Sequence, residues 1–261
     1  MPKKLDTTSR VIIIGNSPSI LLQEYGELID SYDVVIRVNR CVTKGFEKYI
    51  GKKIDIWATT RTDNIDDFVP ENYLEIKYLW KRTPKVKLEL PEDFPKVKEH
   101  TMYKHGSNFA NYFGNYLRKF EIEHEVDTGL LTILTSLKFY TDITVHGFTF
   151  YTEHKDHLVE GYYRRKELDE GGKHPEDEYW SGESNLEFSE PQTSAFASED
   201  NGSKKRKLLN ELVTKGFPED ENKRFIRKNW DGISTEPIKI LNKDELGKMN
   251  LSHPVGSVIV I

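Results

Sequence analysis

The sequence predicts an α/β fold: a mainly parallel sheet flanked by helices. Three observations predict it. Short runs of β-branched apolar residues recur, each closed by turn residues; stretches of helical periodicity separate them; and 261 residues are enough to bury one such core. Strands alternating with helices imply parallel pairing, and a parallel sheet is apolar on both faces because its crossover helices cover each side.

Residues 10–14 make the first strand, closed by Gly15-Asn16-Ser17. Ser17-Pro18 suits a helix start, with the hydroxyl as cap and the proline at the first helical position. Residues 33–39 make a second strand, Lys53 to Ala58 a third and Ile76 to Trp80 a fourth. Gly106 to Phe120 reads as a helix whose stripe of Phe109, Tyr112, Phe113 and Tyr116 belongs to the core rather than to a ligand platform. Thr128-Gly129 opens a helix through Tyr140, and Ile143 to Phe148 is a further buried strand.

From about 151 to 203 the chain turns polar, glycine-rich and acidic, with aromatic islands. That stretch reads either as a mobile active-site flap or as a poorly ordered loop. A basic amphipathic helix over 204–215 follows and stops at Gly216. Its run Lys204-Lys205-Arg206-Lys207 reads as a solvated helix face. Ile238 to Leu241 and Val255 to Ile261 are expected edge strands. There is no internal repeat, and residues 1–261 read as one domain.

Composition closes off several functions. A net charge of −5 gives no basic field for nucleic acid. Mean hydropathy of −0.64 suits a soluble protein. No apolar stretch approaches the length of a membrane span, and MPKKLDTTSR lacks the apolar centre of a signal peptide. The expectation is a soluble, cytoplasmic molecule without an integral membrane segment. Cys41 is the sole cysteine, so no intrachain disulfide can form; a reducing compartment is favoured and a cysteine-rich metal site excluded. No Asp-x-Asp triplet occurs, and the acidic run at 176–178 lacks paired histidine or cysteine ligands, so no metal is expected.

Ligands of such sheets gather at the carboxyl ends of the strands, where Gly15-Asn16-Ser17, Asn39 and Thr128-Gly129 should lie. Glycine at a strand end lets backbone come close to a ligand. Amides at a helix start can receive an anion. Asn16 and Asn39 each offer a donor and an acceptor, which suits sugar hydroxyls and pyrimidine edges. The pattern points to a nucleotide-like anionic ligand; the alternative is that Asn39 simply ties down a loop. A dinucleotide fits worse, because Gly15-Asn16-Ser17-Pro18-Ser19-Ile20 lacks the second and third glycines of that fingerprint.

The order of segments is more specific. Residues 11–59 carry Gly-Asn-Ser after an apolar strand, then Tyr-Gly, Ile-Asp-Ser-Tyr-Asp, Arg-Val-Asn-Arg, Gly-Phe-Glu and Gly-Lys-Lys. This resembles the large sialylmotif of the eukaryotic-type sialyltransferases. Residues 126–148, VDTGLLTILTSLKFYTDITVHGF, resemble the small sialylmotif, with Thr-Gly-Leu-Leu and a closing strand ending in Gly-Phe. The resemblance implies a single-domain, variant Rossmann-like (GT-A-like) glycosyltransferase fold. It also implies transfer of a CMP-activated sugar acid, normally sialic acid, with inversion and without metal. Asn16 and Asn39 would hold the CMP moiety, with Gly15 and Ser17 giving backbone contact. The Ser-Thr-Gly that faces the nucleotide in the family is Asp127-Thr128-Gly129 here. An aspartate would repel phosphate by about 1–4 kcal/mol at about 4 Å, so Asp127 is expected to cap the helix or contact ribose. The family joins its two motifs by a disulfide at positions that are Val11 and Tyr140 here; both partners are missing together, as a reducing compartment would allow. Arg37 and Arg40 either help hold phosphate or the donor carboxylate, or serve an ordinary sheet-edge role.

An inverting transfer needs a base for the acceptor hydroxyl and a group for the departing phosphate, and histidine suits both. The resemblance implies His157 for the phosphate and, seventeen residues on, His174 for the base. A rival alignment, counted back from the helix KKRKLLNELVTKG, puts Asp200 where the base would stand. His154 is a weaker candidate, and His146, inside a strand, reads as a packed residue. The function implied is transfer of sialic acid from its CMP donor to a glycan acceptor. A CMP-Kdo-type transferase and a catalytically impaired CMP or glycan binder are the alternatives.

Overall fold

The computed structural model describes residues 5–17, 20, 23–39, 41, 43–59, 69–82, 88, 90–102, 108–122, 126–148, 199–219 and 232–241, with 108–112 and 199–201 described by backbone alone. Seven strands form one sheet in the order β5-β4-β3-β2-β1-β6-β7, and all six pairings are parallel. The strands are β1 (Asp6–Ile14), β2 (Val34–Val38), β3 (Ile56–Thr59), β4 (Tyr78–Lys81), β5 (Lys98–Thr101), β6 (Tyr140–His146) and β7 (Lys239–Ile240). The chain steps outward from β1 through β5, then returns to the other side of β1 for β6 and β7. The strand order therefore reverses between β1 and β6, the place where open α/β sheets bind their ligands.

Alternation along each strand assigns the two faces. Val11 and Ile13, Ile36 and Val38, Ile56 and Ala58, and Ile143 and Val145 meet one helical layer. That layer holds α3 (Asn108–Arg118), α4 (Thr128–Ser136) and α5 (Glu199–Lys215). Ile12, Ile14 and Val35 pack on the other face against Ile29 of α1 (Gly26–Asp30), with α2 (Glu47–Ile50) beside it. Eight of the nine α4 residues are buried, as a helix apolar nearly all round must be. Two of its hydroxyls are absorbed locally: Thr132 Oγ1 donates to the Thr128 carbonyl at 2.6 Å and Ser136 Oγ to the Ile133 carbonyl at 2.7 Å.

Several expected boundaries move, each for a local reason. β1 begins at Asp6, where the carboxylate accepts from both Thr8 and Ser9 and the register against β6 shifts. The first described α-helix starts at Gly26; at the expected helix start Ile20 is in a 3-10 turn, its amide donating to the Ser17 carbonyl at 3.1 Å, while Pro18 and Ser19 lie outside the described residues. α4 stops at Ser136, short of Tyr140, because Lys138 and Phe139 close tight turns onto Thr135 and Ser136 and free Tyr140 to pair with Asp6. β6 ends at His146, since Gly147 takes φ 77°. β5 was not expected: Lys98-Glu99-His100-Thr101 has no apolar pattern because it forms the sheet's edge. α5 ends as expected, with Gly216 at φ 71° and its amide on the Leu212 carbonyl. The stretches 151–198 and Val255 to Ile261 lie outside the described residues.

The core closes without a cross-link. Val11 and Tyr140 are both buried apolar residues of one cluster, and Cys41, also buried, has its thiol pushed up to about 12 by burial. His100 reaches inward from β5, edge-on to Phe139 at 5.0 Å and to Trp80 at 5.9 Å. Burial first, and the Lys138 ammonium second, hold its imidazole down from 6.5 to about 4. Between those values the unfolded chain binds a proton that the folded one refuses, so stability is intact above pH 6.5 and falls as pH drops toward 4. The full drop from this group corresponds to roughly 3 kcal/mol. Urea unfolding of the wild type and of His100→Phe across pH 7.5 to 4 checks this. The variant should lose stability less steeply below pH 6.5, and parallel curves would remove His100 as the cause.

Candidate active site

The tips of β1 and β6 touch through backbone. The Gly15 amide donates to the His146 carbonyl at 2.8 Å and the Ser17 amide to the Gly147 carbonyl at 3.1 Å. A Cβ on Gly15 would lie 2.1 Å from the Gly147 oxygen, and one on Gly147 would lie 2.3 Å from Ile20. A Cβ on Gly129, in the first turn of α4, would lie 2.8 Å from the Phe148 ring, which also lies against Gly15. One aromatic ring thus sets the spacing between the tip of β1 and the mouth of α4. The space that Gly15 leaves open is filled by the neighbouring strand, and the Gly15 and Ser17 amides are engaged within the protein.

Beside this junction the two asparagines sit on adjacent strand tips. Asn16 Nδ2 donates to the Val38 carbonyl at 2.9 Å, tying the loop after β1 to the end of β2. Asn39 follows at once, with φ 53°. Its amide donates to the Ala58 carbonyl at 2.8 Å, and its carbonyl accepts from the Trp57 indole at 2.7 Å. Its Oδ1 is buried with no hydrogen-bond partner among the described residues. A buried acceptor left unmatched costs about 1–3 kcal/mol, so such an atom at a strand tip is a group that a bound ligand can satisfy.

The α4 mouth lies at this same edge, because α4 runs antiparallel to the β6 strand it precedes. Asp127 is its N-cap in extended conformation, and its Oδ1 accepts from the Leu130 amide at 2.7 Å. Capping is one of the two roles the sequence suggests for this aspartate. Its Oδ2 meets Lys205 Nζ of α5 at 2.7 Å, with the lysine side chain 0% exposed and the aspartate 16%. The expected solvated face of α5 is therefore corrected at this residue. Lys205 is buried, Lys204 faces Glu121 at 3.7 Å, and Lys207 alone of the three lysines is exposed.

A profile of glycosyltransferase family 29 (sialyltransferase) matches residues 2–178. The chain belongs to that family. Among curated relatives, a β-1,6-galactosyltransferase of Arabidopsis thaliana is 46% identical over 44 residues, 17% of this chain and 11% of the relative. A CMP-N-acetylneuraminate-beta-galactosamide-alpha-2,3-sialyltransferase of Sus scrofa is 23% identical over 160 residues, 57% of this chain and 46% of that enzyme. These matches cover less than half the length of either relative. A mammalian sialyltransferase solved with Gal-beta-1-3GalNAc-ortho-nitrophenol aligns over 54% of this chain and 55% of its own, at 21% identity and a TM-score of 0.37.

Within this family-29 chain, Gly15, Asn16, Ser17, Asn39, Asp127, Thr128 and Gly129 all fall at one edge of the sheet, as the motif order requires. His154, His157, His174 and Arg40 lie outside the described residues. Asp200 lies in the first turn of α5, five residues before Lys205 and so about 7.5 Å along the helix axis from it. His146 is fully buried and packs edge-on to Tyr25 at 5.7 Å, the packed role expected of it. Arg37 faces away from the cleft layer: its Nη2 donates to the Ile50 carbonyl at 2.7 Å and its Nε to Lys53 at 2.9 Å, closing the end of α2. Of the two roles open to it in the sequence, the structural one is realised. Sequence reasoning did not single out Phe148 or Lys205. Gly-Phe at the end of a strand was visible, but which glycines the ring would meet depends on the crossover.

Gly15 and Gly147 offer a direct check. Gly15→Ala drives a methyl group into a backbone carbonyl that cannot move without opening the β1–β6 pair. Its unfolding free energy should fall by about 2–4 kcal/mol in urea titration, whereas Gly114→Ala, with open space around it, should not destabilise the protein. Equal stability of the two variants would contradict the tight junction.

Proposed function

We propose that the chain transfers a sialic acid, or a related carboxylated keto sugar, from a CMP donor to a glycan hydroxyl with inversion at the anomeric carbon. The observation that carries this reading is Asn39. It holds a left-handed backbone and a buried side-chain oxygen with no partner among the described residues, at the tip of β2, one strand from the strand-order reversal of a family-29 chain. In this reading Asn16 and Asn39 grip the cytidine and ribose beside the Gly15–Ser17 turn. The first-turn amides of α4, at Thr128 and Gly129, receive the phosphate with the favourable end of the helix dipole behind them.

The acceptor oxygen attacks the anomeric carbon while the carbon–oxygen bond to phosphate breaks and CMP leaves with the electron pair. A base takes the hydroxyl proton and a second group steadies the new phosphate charge. His174 fills the first role and His157 the second; Asp200 is the alternative base, supported by the contact that holds α5 against the α4 mouth. The scheme uses no metal. A cytoplasmic setting is part of the reading, supported by the single cysteine and by a core closed without a disulfide. Among the described residues no helix is long and apolar enough to cross a membrane.

Calorimetry with CMP tests the donor. Asn39→Gly keeps the left-handed backbone and removes only the side chain, so CMP should bind about tenfold or more weakly while stability holds. A wild type that shows no CMP binding at millimolar concentration sinks the proposal. Donor turnover then identifies the base: His174→Ala should lose about 100-fold or more, and if Asp200→Asn does so instead, the role passes to Asp200.

A further inference from the structure

The α4 mouth carries a contradiction that a residue from far along the chain resolves. An anion received there would stand beside the Asp127 carboxylate, which the helix needs as its cap. We propose that Lys205 is a positioning residue whose buried ammonium cancels the Asp127 charge and so makes the α4 mouth accept the phosphate of the donor. This rests on the CMP-donor reading above. It goes beyond that reading by assigning a function to α5, which lies past the matched residues 2–178.

The geometry points to charge compensation rather than to packing. Lys205 Nζ reaches the aspartate oxygen left over by the cap, at 2.7 Å, while the other oxygen serves the Leu130 amide. Both carboxylate oxygens are thus engaged, one by a cation and one by backbone. The lysine is wholly buried although it sits inside a basic run in which Lys207 is exposed, so its ammonium is desolvated against one partner. A buried ammonium left without a counter-charge would be costly, and the partly exposed Asp127 carboxylate supplies that counter-charge. Asp127 adjoins Thr128 and Gly129, and Gly129 touches the Phe148 ring that borders Gly15, so the neutralised pair stands at the site rather than remote from it.

Calorimetry with two probes, CMP and uncharged cytidine, separates this role from a merely structural one. Lys205→Met exposes the Asp127 charge and should weaken CMP binding 10- to 100-fold while changing cytidine binding less than threefold. Asp127→Asn keeps an acceptor for Leu130, drops the charge, and should bind CMP more tightly than the wild type. The double variant should recover at least tenfold of the affinity lost by Lys205→Met. Equal losses for CMP and cytidine, or no recovery in the double variant, would overturn the role. If Lys205→Met fails to fold, the other two variants decide: weaker CMP binding by Asp127→Asn than by the wild type overturns the proposal, and tighter binding supports it. Wild-type failure to bind CMP would count against the donor reading itself. Normal CMP binding by both the wild type and Lys205→Met would overturn only the role of Lys205.

Discussion

The contact on which the site depends is that of a glycine against a carbonyl. Gly15 directly follows β1 and Gly147 directly follows β6, and the Gly147 oxygen leaves no room for a Cβ on Gly15. The strand order reverses between these two strands, which is where open α/β sheets generally bind their ligands. Phe148 fills the wedge and touches Gly129, so the same junction fixes where α4 begins. The strand tip, the helix mouth and the asparagine on β2 are therefore one rigid assembly, not three neighbours.

Electrostatics follow from that assembly. Burying α4 on nearly every side leaves its first turn as the part through which it meets other charges, and Asp127 and Lys205 meet there. On the opposite layer the same logic places charges at element ends: Asp55 accepts from the Val35 amide and faces Lys53 and Lys77, while Arg37 closes the end of α2. Val35, Asp55 and Lys77 lie at the amino ends of β2, β3 and β4, whereas Asp127 and Lys205 meet at the edge where the strands finish.

Much of this was legible in the sequence. Apolar runs closed by Gly-Asn-Ser or Asn-Arg marked β1 and β2, and a helix opening on Thr-Gly followed by a strand ending in Gly-Phe marked the crossover that returns to β1. The parallel sheet and the family came from those elements together. What stayed hidden was what periodicity does not encode. β5 has no apolar pattern because it is the last strand of the sheet, and Lys205 sat in a run whose composition suggested solvent. Its partner lies 78 residues earlier, and only the packing of α5 on α4 brings the two together. Gly15 could be seen to need space, but not that a neighbouring strand would take it.

Asn39 illustrates what such a frame provides. Its backbone sits where side chains other than glycine are disfavoured, and two hydrogen bonds, from the Trp57 indole and to the Ala58 carbonyl, keep it there. The backbone at this residue is already held before anything arrives. A molecule that pairs with its side chain consequently forfeits little backbone freedom on the protein's side, so a modest set of contacts goes further than it would on a mobile loop.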